Sequence, residues 1–196
     1  MRENIFDICC IVILIAIIVV VGIHIYNSTR DNLAQYPEEM FEVSPQEKIE
    51  EEKDELVISQ YEIDGKNYDV IAILNIPTLQ IEYPVLATTS KELLKVSLNK
   101  YWGPNPNKKG NFCVLGHNYN DERFFGKLNK INIGDVIQLT DMTNKTLQYY
   151  VYDKYIVNPD DTTCTSQLTD GKTEITLITC TKDFKQRFIV KARAEK

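Results

Sequence analysis

The chain has 196 residues, 43% of them apolar and 26% charged, with a net charge of −6. Such a chain fits one ordinary domain with an appendage, and its balance excludes wholesale disorder and a polytopic membrane protein. The acidic sum argues against non-specific nucleic-acid binding. Five Cys are too few for a disulfide scaffold, and two His leave little for a structural zinc site.

The averages hide a segregation along the chain. Residues 1–7 read as a short cytoplasmic N-terminus. From Ile8 to Ile23 every residue is apolar or Gly, and Ile25 and Tyr26 extend the run past His24. Roughly 20 helical residues cross a hydrocarbon core of about 30 Å, so 8–26 are predicted to be a transmembrane anchor, with Tyr26 at the interface. No A-x-A cleavage site follows the run, which favours an anchor over a signal peptide. Arg2, Glu3, Asp7 and Arg30 give almost no charge bias. A short N-terminus before one span places the long C-terminal part outside the cell, giving a single-pass protein of the cell membrane.

Residues 27–60 form an acidic linker, with ten acids and three bases. Its net −7 leaves +1 for the rest of the chain, so the acidity belongs to the spacer. Ser44-Pro45-Gln46-Glu47 reads as a helix start, with Ser44 as cap, Pro45 at the first turn and Glu47 reciprocating, which suggests a helix over 45–58. Its thin apolar stripe (Ile49, Leu56, Val57) suits a solvated spacer; a helix that docks on the following domain and regulates it is the sharper alternative.

From residue 61 to 196 the pattern changes to short strands and turns. Val70–Ile76 is rich in β-branched residues and ends at Pro77; Ile81–Val85 resumes an extended path. Ser90 to Leu98 reads as a short helix capped by Ser90. Trp102-Gly103-Pro104-Asn105-Pro106-Asn107 is a turn cluster. Strand patterns follow at Asn111–Leu115, Asp135–Leu139, Thr146–Val157, Glu174–Thr179 and Arg187–Ala192. Seven or eight strands with little helix predict an all-β barrel or sandwich. The stretch Asn158 to Gly171 reads as a loop.

Chemistry concentrates in three residues of this part. His117 follows the strand Phe112–Leu115. Cys180 ends the strand Ile175–Thr179, and Arg187 opens the next one seven residues later. An ordinary thiol is only a few per cent thiolate near neutral pH and needs a cation or a base beside it. Histidine can supply that and protonate a leaving amine. Arginine cannot act as a base, but its fork of donors can hold a carbonyl and stabilise an oxyanion. Two antiparallel strands can set Cys180 beside Arg187; spacing alone does not place His117 against them. Taken singly, each has a plainer reading: a small core residue, a polar loop residue and a surface charge. Cys113 reads as core and Cys164 as a loop bystander, with a disulfide between them as the minor alternative.

Together these segments resemble the sortase family. Thr176-Leu177-Ile178-Thr179-Cys180 is similar to its T-L-x-T-C signature. Gly110-Asn111-Phe112-Cys113-Val114-Leu115-Gly116-His117-Asn118 is similar to its G-N-x-V-x-x-G-H segment, and Arg187-Phe188-Ile189-Val190 to its R-[FL]-x-V strand. The order His, Cys, Arg agrees, and the likeness extends over about residues 70–193. The resemblance implies an eight-stranded β-barrel and a cysteine transpeptidase acting outside the membrane of Gram-positive bacteria. Cys180 would attack the Thr–Gly amide of a C-terminal sorting motif and form a thioacyl enzyme. His117 would protonate the departing amine, and Arg187 would hold the carbonyl. The implied partners are surface proteins bearing the motif and an amine from a peptidoglycan precursor or a pilin Lys. No cofactor is implied. Some members bind calcium, but the resemblance carries no ligands over to Asp121, Glu122 or Asp160.

No D-P-[WF] lid motif precedes Val70, and 158–171 is too short for a large helical insert. An anchoring enzyme of the housekeeping or class D kind therefore fits better than a pilin-polymerising or class B member. Other readings stay open. An L,D-transpeptidase would want S-H-G-C before its thiol, absent here; an NlpC/P60 peptidase runs Cys before His. A non-catalytic binding module on the same barrel would be expected to lack one of the three residues.

Overall fold

The computed structural model describes residues 19–21, 23 and 56–195. The chain divides into two compact units, Met1–Pro37 and Glu38–Lys196, and the barrel lies in the second. Most of the expected anchor at 8–26 and of the linker at 27–60, with its possible helix at 45–58, lies outside the described residues. Val19, Val20, Val21 and Ile23 are helical and exposed. Among the described residues no helix is long and apolar enough to cross a membrane.

Nine strands carry the fold: β1 (Ser59–Ile63), β2 (Lys66–Ile76), β3 (Ile81–Leu86), β4 (Leu98–Trp102), β5 (Gly110–Leu115), β6 (Val136–Asp141), β7 (Thr146–Val157), β8 (Thr173–Cys180) and β9 (Arg187–Ala194). They are hydrogen-bonded in the order β1-β2-β3-β4-β5-β8-β9-β7-β6, and β6 pairs back onto β2. That last pairing closes β2 to β9 into an eight-stranded barrel, as expected. Strand β1 is an addition to it. It pairs with β2 from Ser59↔Val70 to Ile63↔Lys66, while β6 pairs with Ala72 to Asn75 of the same strand. Since β3 takes the opposite edge of β2, β1 and β6 lie end to end along one edge.

Local chemistry explains these elements. The β1–β2 hairpin turns at Asp64-Gly65, both at positive φ (49° and 75°), the pair that a two-residue hairpin loop demands. The first strand starts at Ser59, ahead of the residue-61 boundary, and Leu56 already packs against the core. β4 is the strand that the sequence pattern concealed. Its five residues, LNKYW, show no clean alternation, and its parallel partnership with β3 spans only Val85↔Leu98 and Leu86↔Asn99. The helix expected from Ser90 to Leu98 is reduced to one 3₁₀ turn at Leu93–Lys95. Glu92 holds its N-cap position instead of Ser90, whose Oγ accepts from the Leu93 N–H at 3.1 Å. The turn stops there because Leu98 is taken into the barrel, where it is fully buried.

Side-chain alternation divides each strand between two faces. Phe112 and Val114 of β5, Ile175 and Leu177 of β8, and Val190 and Ala192 of β9 fill the barrel interior with Leu74, Ile76, Leu139 and Tyr149. The intervening residues, among them Leu115, Ile178, Cys180, Arg187 and Ile189, therefore share the outer face of β5, β8 and β9. They are nevertheless buried. Part of that cover is the 158–172 connection, whose only regular element among the described residues is the 3₁₀ turn Thr163–Thr165. Asn111 ties it down: its Nδ2 donates to the Cys164 and Ser166 carbonyls at 2.9 and 3.1 Å. Thr176 Oγ1 donates back to Asn111 Oδ1 at 2.6 Å.

Candidate active site

Two registers bring the three predicted residues to one rim of the barrel. β8 and β9 are antiparallel, and Cys180 and Arg187 are direct cross-strand partners. β5 and β8 are parallel, with Leu115 opposite Ile178. The Gly116 N–H donates to the Ile178 carbonyl at 3.2 Å and Asn118 Nδ2 to the Cys180 carbonyl at 2.8 Å, so His117, between them, stands at the end of β8 that carries Cys180. The Cys180 and Arg187 side chains leave the outer face, because they share strand parity with Ile178 and Ile189. Sixty-three residues separate His117 from Cys180 in the chain, so only the parallel β5–β8 pairing makes them neighbours.

The thiol and the guanidinium are in contact: Arg187 Nη1 donates to Cys180 Sγ at 3.3 Å and to the Gln186 carbonyl at 3.3 Å. Cys180 is fully buried, and Arg187 and His117 are 2% and 5% exposed. A guanidinium in a site this dry favours a sulfur anion or an oxyanion beside it more strongly than it could in water.

His117 is held in place by its neighbours. Gly116 permits the close packing behind it, since a Cβ there would lie 2.5 Å from Leu98 Cδ2 and 2.6 Å from Phe125 Cδ2. The His117 carbonyl accepts from the Phe125 N–H at 2.9 Å. Thr179 Oγ1 donates to the Gly116 carbonyl at 2.7 Å, fastening the end of β5 to β8 just before Cys180. The imidazole packs against the Tyr119 ring, centroids 5.0 Å apart, and Tyr119 packs against Phe124. Arg123 lies over the far side of this cluster, 4.5 Å from the Tyr119 centroid. Burial lowers the His117 pKa to about 4, and the positive charges of Lys95 and Arg123 push the same way. The resting imidazole is therefore neutral at ordinary pH.

Cys113 and Cys164 are both buried thiols, and no disulfide joins them. Burial raises both, Cys164 to about 11, so neither suits a nucleophile. Asp121 pairs with Arg123 at 2.7 Å and Glu122 with Lys130 at 3.0 Å. Among the described residues no group of three or more His, Cys, Asp or Glu is disposed to hold a metal ion. Sequence reasoning gave no role to Asn118, whose Nδ2 donates to the Cys180 carbonyl at 2.8 Å. It also missed Lys95 and Arg123 as the cations that act on His117. The motif contains Asn118, but nothing in linear spacing reports a bond across 62 positions.

Fold and site define a class: a closed eight-stranded β-barrel with a thiol, an imidazole and a guanidinium gathered at one rim. The Sortase domain family matches residues 74–195. This chain belongs to the sortase family. It is similar to sortase A of Bacillus anthracis, with 36% identity over 129 residues, 62% of this chain and 58% of that protein. It is also similar to sortase A of Listeria monocytogenes, with 29% identity over 136 residues, 66% of this chain and 60% of that protein. The matched region thus spans less than two thirds of these curated relatives. Among solved structures, a Clostridium perfringens sortase D5 transpeptidase superposes with a TM-score of 0.60 at 28% identity, covering 65% of this chain and 80% of that one. Sortase C-1 of Actinomyces oris superposes with a TM-score of 0.60 at 26% identity, covering 65% and 72%.

Proposed function

We propose that this chain is a membrane-anchored cysteine transpeptidase. It cleaves a C-terminal sorting motif between Thr and Gly and transfers the new carboxyl end to a cell-wall amine outside the cell. The observation that carries this reading is the 3.3 Å contact of Arg187 with the Cys180 sulfur at the rim that also holds His117. Family membership supports it.

Chemistry follows from the protonation states. The neutral His117 takes the Cys180 proton as the sulfur attacks the Thr carbonyl carbon. The carbonyl electrons move onto oxygen, and the Arg187 guanidinium stabilises that oxyanion. Collapse breaks the C–N bond, and the imidazolium returns its proton to the departing Gly nitrogen. A thioacyl enzyme remains. An incoming amine then attacks the thioester, gives a proton to His117 and expels the Cys180 thiolate, which recovers that proton. The cycle needs no cofactor. The 158–172 connection, with one short turn and no inserted helix, supports an anchoring enzyme of the housekeeping or class D kind.

The test mixes the full-length protein, and its Cys180→Ala variant, with a panel of L-P-x-T-G-type peptides and several amines, read by mass spectrometry. Thr–Gly cleavage with amine capture is expected. The variant should lose at least about a thousandfold in rate. Turnover that survives in the variant would overturn the thioacyl route. Absence of both cleavage and adduct with every peptide would favour a barrel that binds without catalysing.

A further inference from the structure

We propose that Asn118 is a positioning residue that fixes the Cys180 sulfur against His117, an inference that deepens the transpeptidase reading and rests on it. Three observations carry it. Beyond Leu115 the regular β5–β8 pairing ends, and the Asn118 carboxamide takes over the ladder's work, its Nδ2 donating to the Cys180 carbonyl at 2.8 Å in a buried setting. Asn118 is the next residue after His117, so this single bond ties the imidazole's own backbone to the peptide that carries the thiol. The bond also comes at a cost. Asn118 is 4% exposed, yet its Oδ1 is buried and accepts no hydrogen bond from the described residues.

A buried acceptor without a donor is a standing penalty, which offsets part of what the carboxamide's Nδ2 bond to the Cys180 carbonyl contributes to stability. The Cys180 carbonyl fixes its orientation, because a flipped amide would set oxygen against oxygen. With that carbonyl held, the Cα–Cβ direction of Cys180 is set relative to His117 through a path of two residues. Reacting groups need placement to within about 0.5 Å, and an error of about 1 Å can cost about a hundredfold in rate. The neighbouring loop reinforces the same point: Asn118 bridges to Phe124, which with Glu122 adopts positive φ, 53° and 67°. Local backbone preference is sacrificed in the loop that follows Asn118.

The experiment compares full-length protein with Asn118→Leu, which matches the shape and removes both the donor and the unsatisfied acceptor. The pH dependence of Cys180 alkylation, followed by peptide mapping, reports how closely the sulfur is held to its cationic neighbour Arg187, without any substrate. Peptide turnover is measured alongside. The expected result is a folded protein with a somewhat lower thermal midpoint, because the Cys180 carbonyl loses its donor, and an alkylation midpoint moved upward by more than about half a pH unit. With a cleaved peptide, kcat should fall about ten- to a hundredfold with KM changed less than about threefold. Asn118→Gln, which keeps a carboxamide donor, should recover part of both. Native alkylation and native kcat in Asn118→Leu would overturn the proposal. Should the Leu variant not fold, Asn118→Asp decides by the same two readouts. If no peptide is cleaved even by the native chain, the transpeptidase reading fails while the alkylation profile still decides the clamp.

Discussion

His117 shows how little room a single residue has in this site. Three influences depress its pKa to about 4, with burial first and Lys95 and Arg123 after it. Arg123 stands over the Tyr119 ring, and its charge reaches a poorly solvated group. Substituting Arg123→Gln removes one of the two cations and leaves burial untouched. The His117 pKa should then rise, though not to its ordinary value, and NMR titration of the imidazole will show the direction. An unchanged titration would mean that burial alone sets it. Arg187 has a different task. A lysine would keep the charge but lose the planar fork, whose Nη1 here donates to both the sulfur and the Gln186 carbonyl.

At the scale of elements, the 158–172 connection matters as much as the strands. It leaves β7 near Arg187, whose cross-strand partner there is Val157, and ends where β8 begins, so it runs the length of the outer face. Asn111 and Gln167 hold it. Gln167 accepts from the Asn111 N–H at 3.0 Å and donates to the Asn111 carbonyl at 3.0 Å, copying a strand's backbone pairing with a side chain. Gly103 packs so tightly against that carbonyl that a Cβ would come within 2.0 Å of it, at a φ of +91°. Asn111→Ala removes the Nδ2 donor to two loop carbonyls and the Oδ1 acceptor of the Thr176 hydroxyl in a buried region. It should destabilise the protein by about 2–3 kcal/mol and make 158–172 the first site of limited proteolysis. Urea unfolding and peptide mapping measure the two effects; a loss below about 0.5 kcal/mol would show that the connection stays docked without it.

The whole molecule registers the same burial as a dependence of stability on pH. His117 titrates near 4 in the folded protein and near 6.5 when unfolded. Between those values the unfolded chain binds more protons, so stability falls as pH falls from about 6.5 to 4. A shift of this size corresponds to about 3 kcal/mol. The native protein should therefore lose about that much more than His117→Ala between pH 7.5 and 4, as measured by urea unfolding at each pH. Parallel curves for the two proteins would show that the imidazole takes up its proton without opening the barrel. Carboxylates held low, such as Asp141 with its Thr143, Lys145 and Asn107 partners, add an acid loss shared by both proteins.

Much of this was written in local sequence. β-branched runs, Gly and Asn punctuation and strand parity foretold β2, β3, β5, β6, β7, β8 and β9 closely, with β7 matched at both ends. Cys180 and Arg187 were legible as partners because antiparallel strands joined by a short loop oblige their facing ends to meet. What sequence could not state was any relation set by distant pairing. β4 exists because a barrel needs it between β3 and β5, not because LNKYW prefers a strand. β1 has a hairpin turn of its own but blended into the acidic stretch before it. The place of His117 beside Cys180 depends on parallel pairing of β5 with β8, for which the chain between them carries no local signal. The pKa of His117 and the reach of Asn118 to the Cys180 carbonyl were hidden for the same reason: burial and long-range hydrogen bonds are properties of the closed barrel, while residue types and their spacing determine only what each strand can offer once it is there.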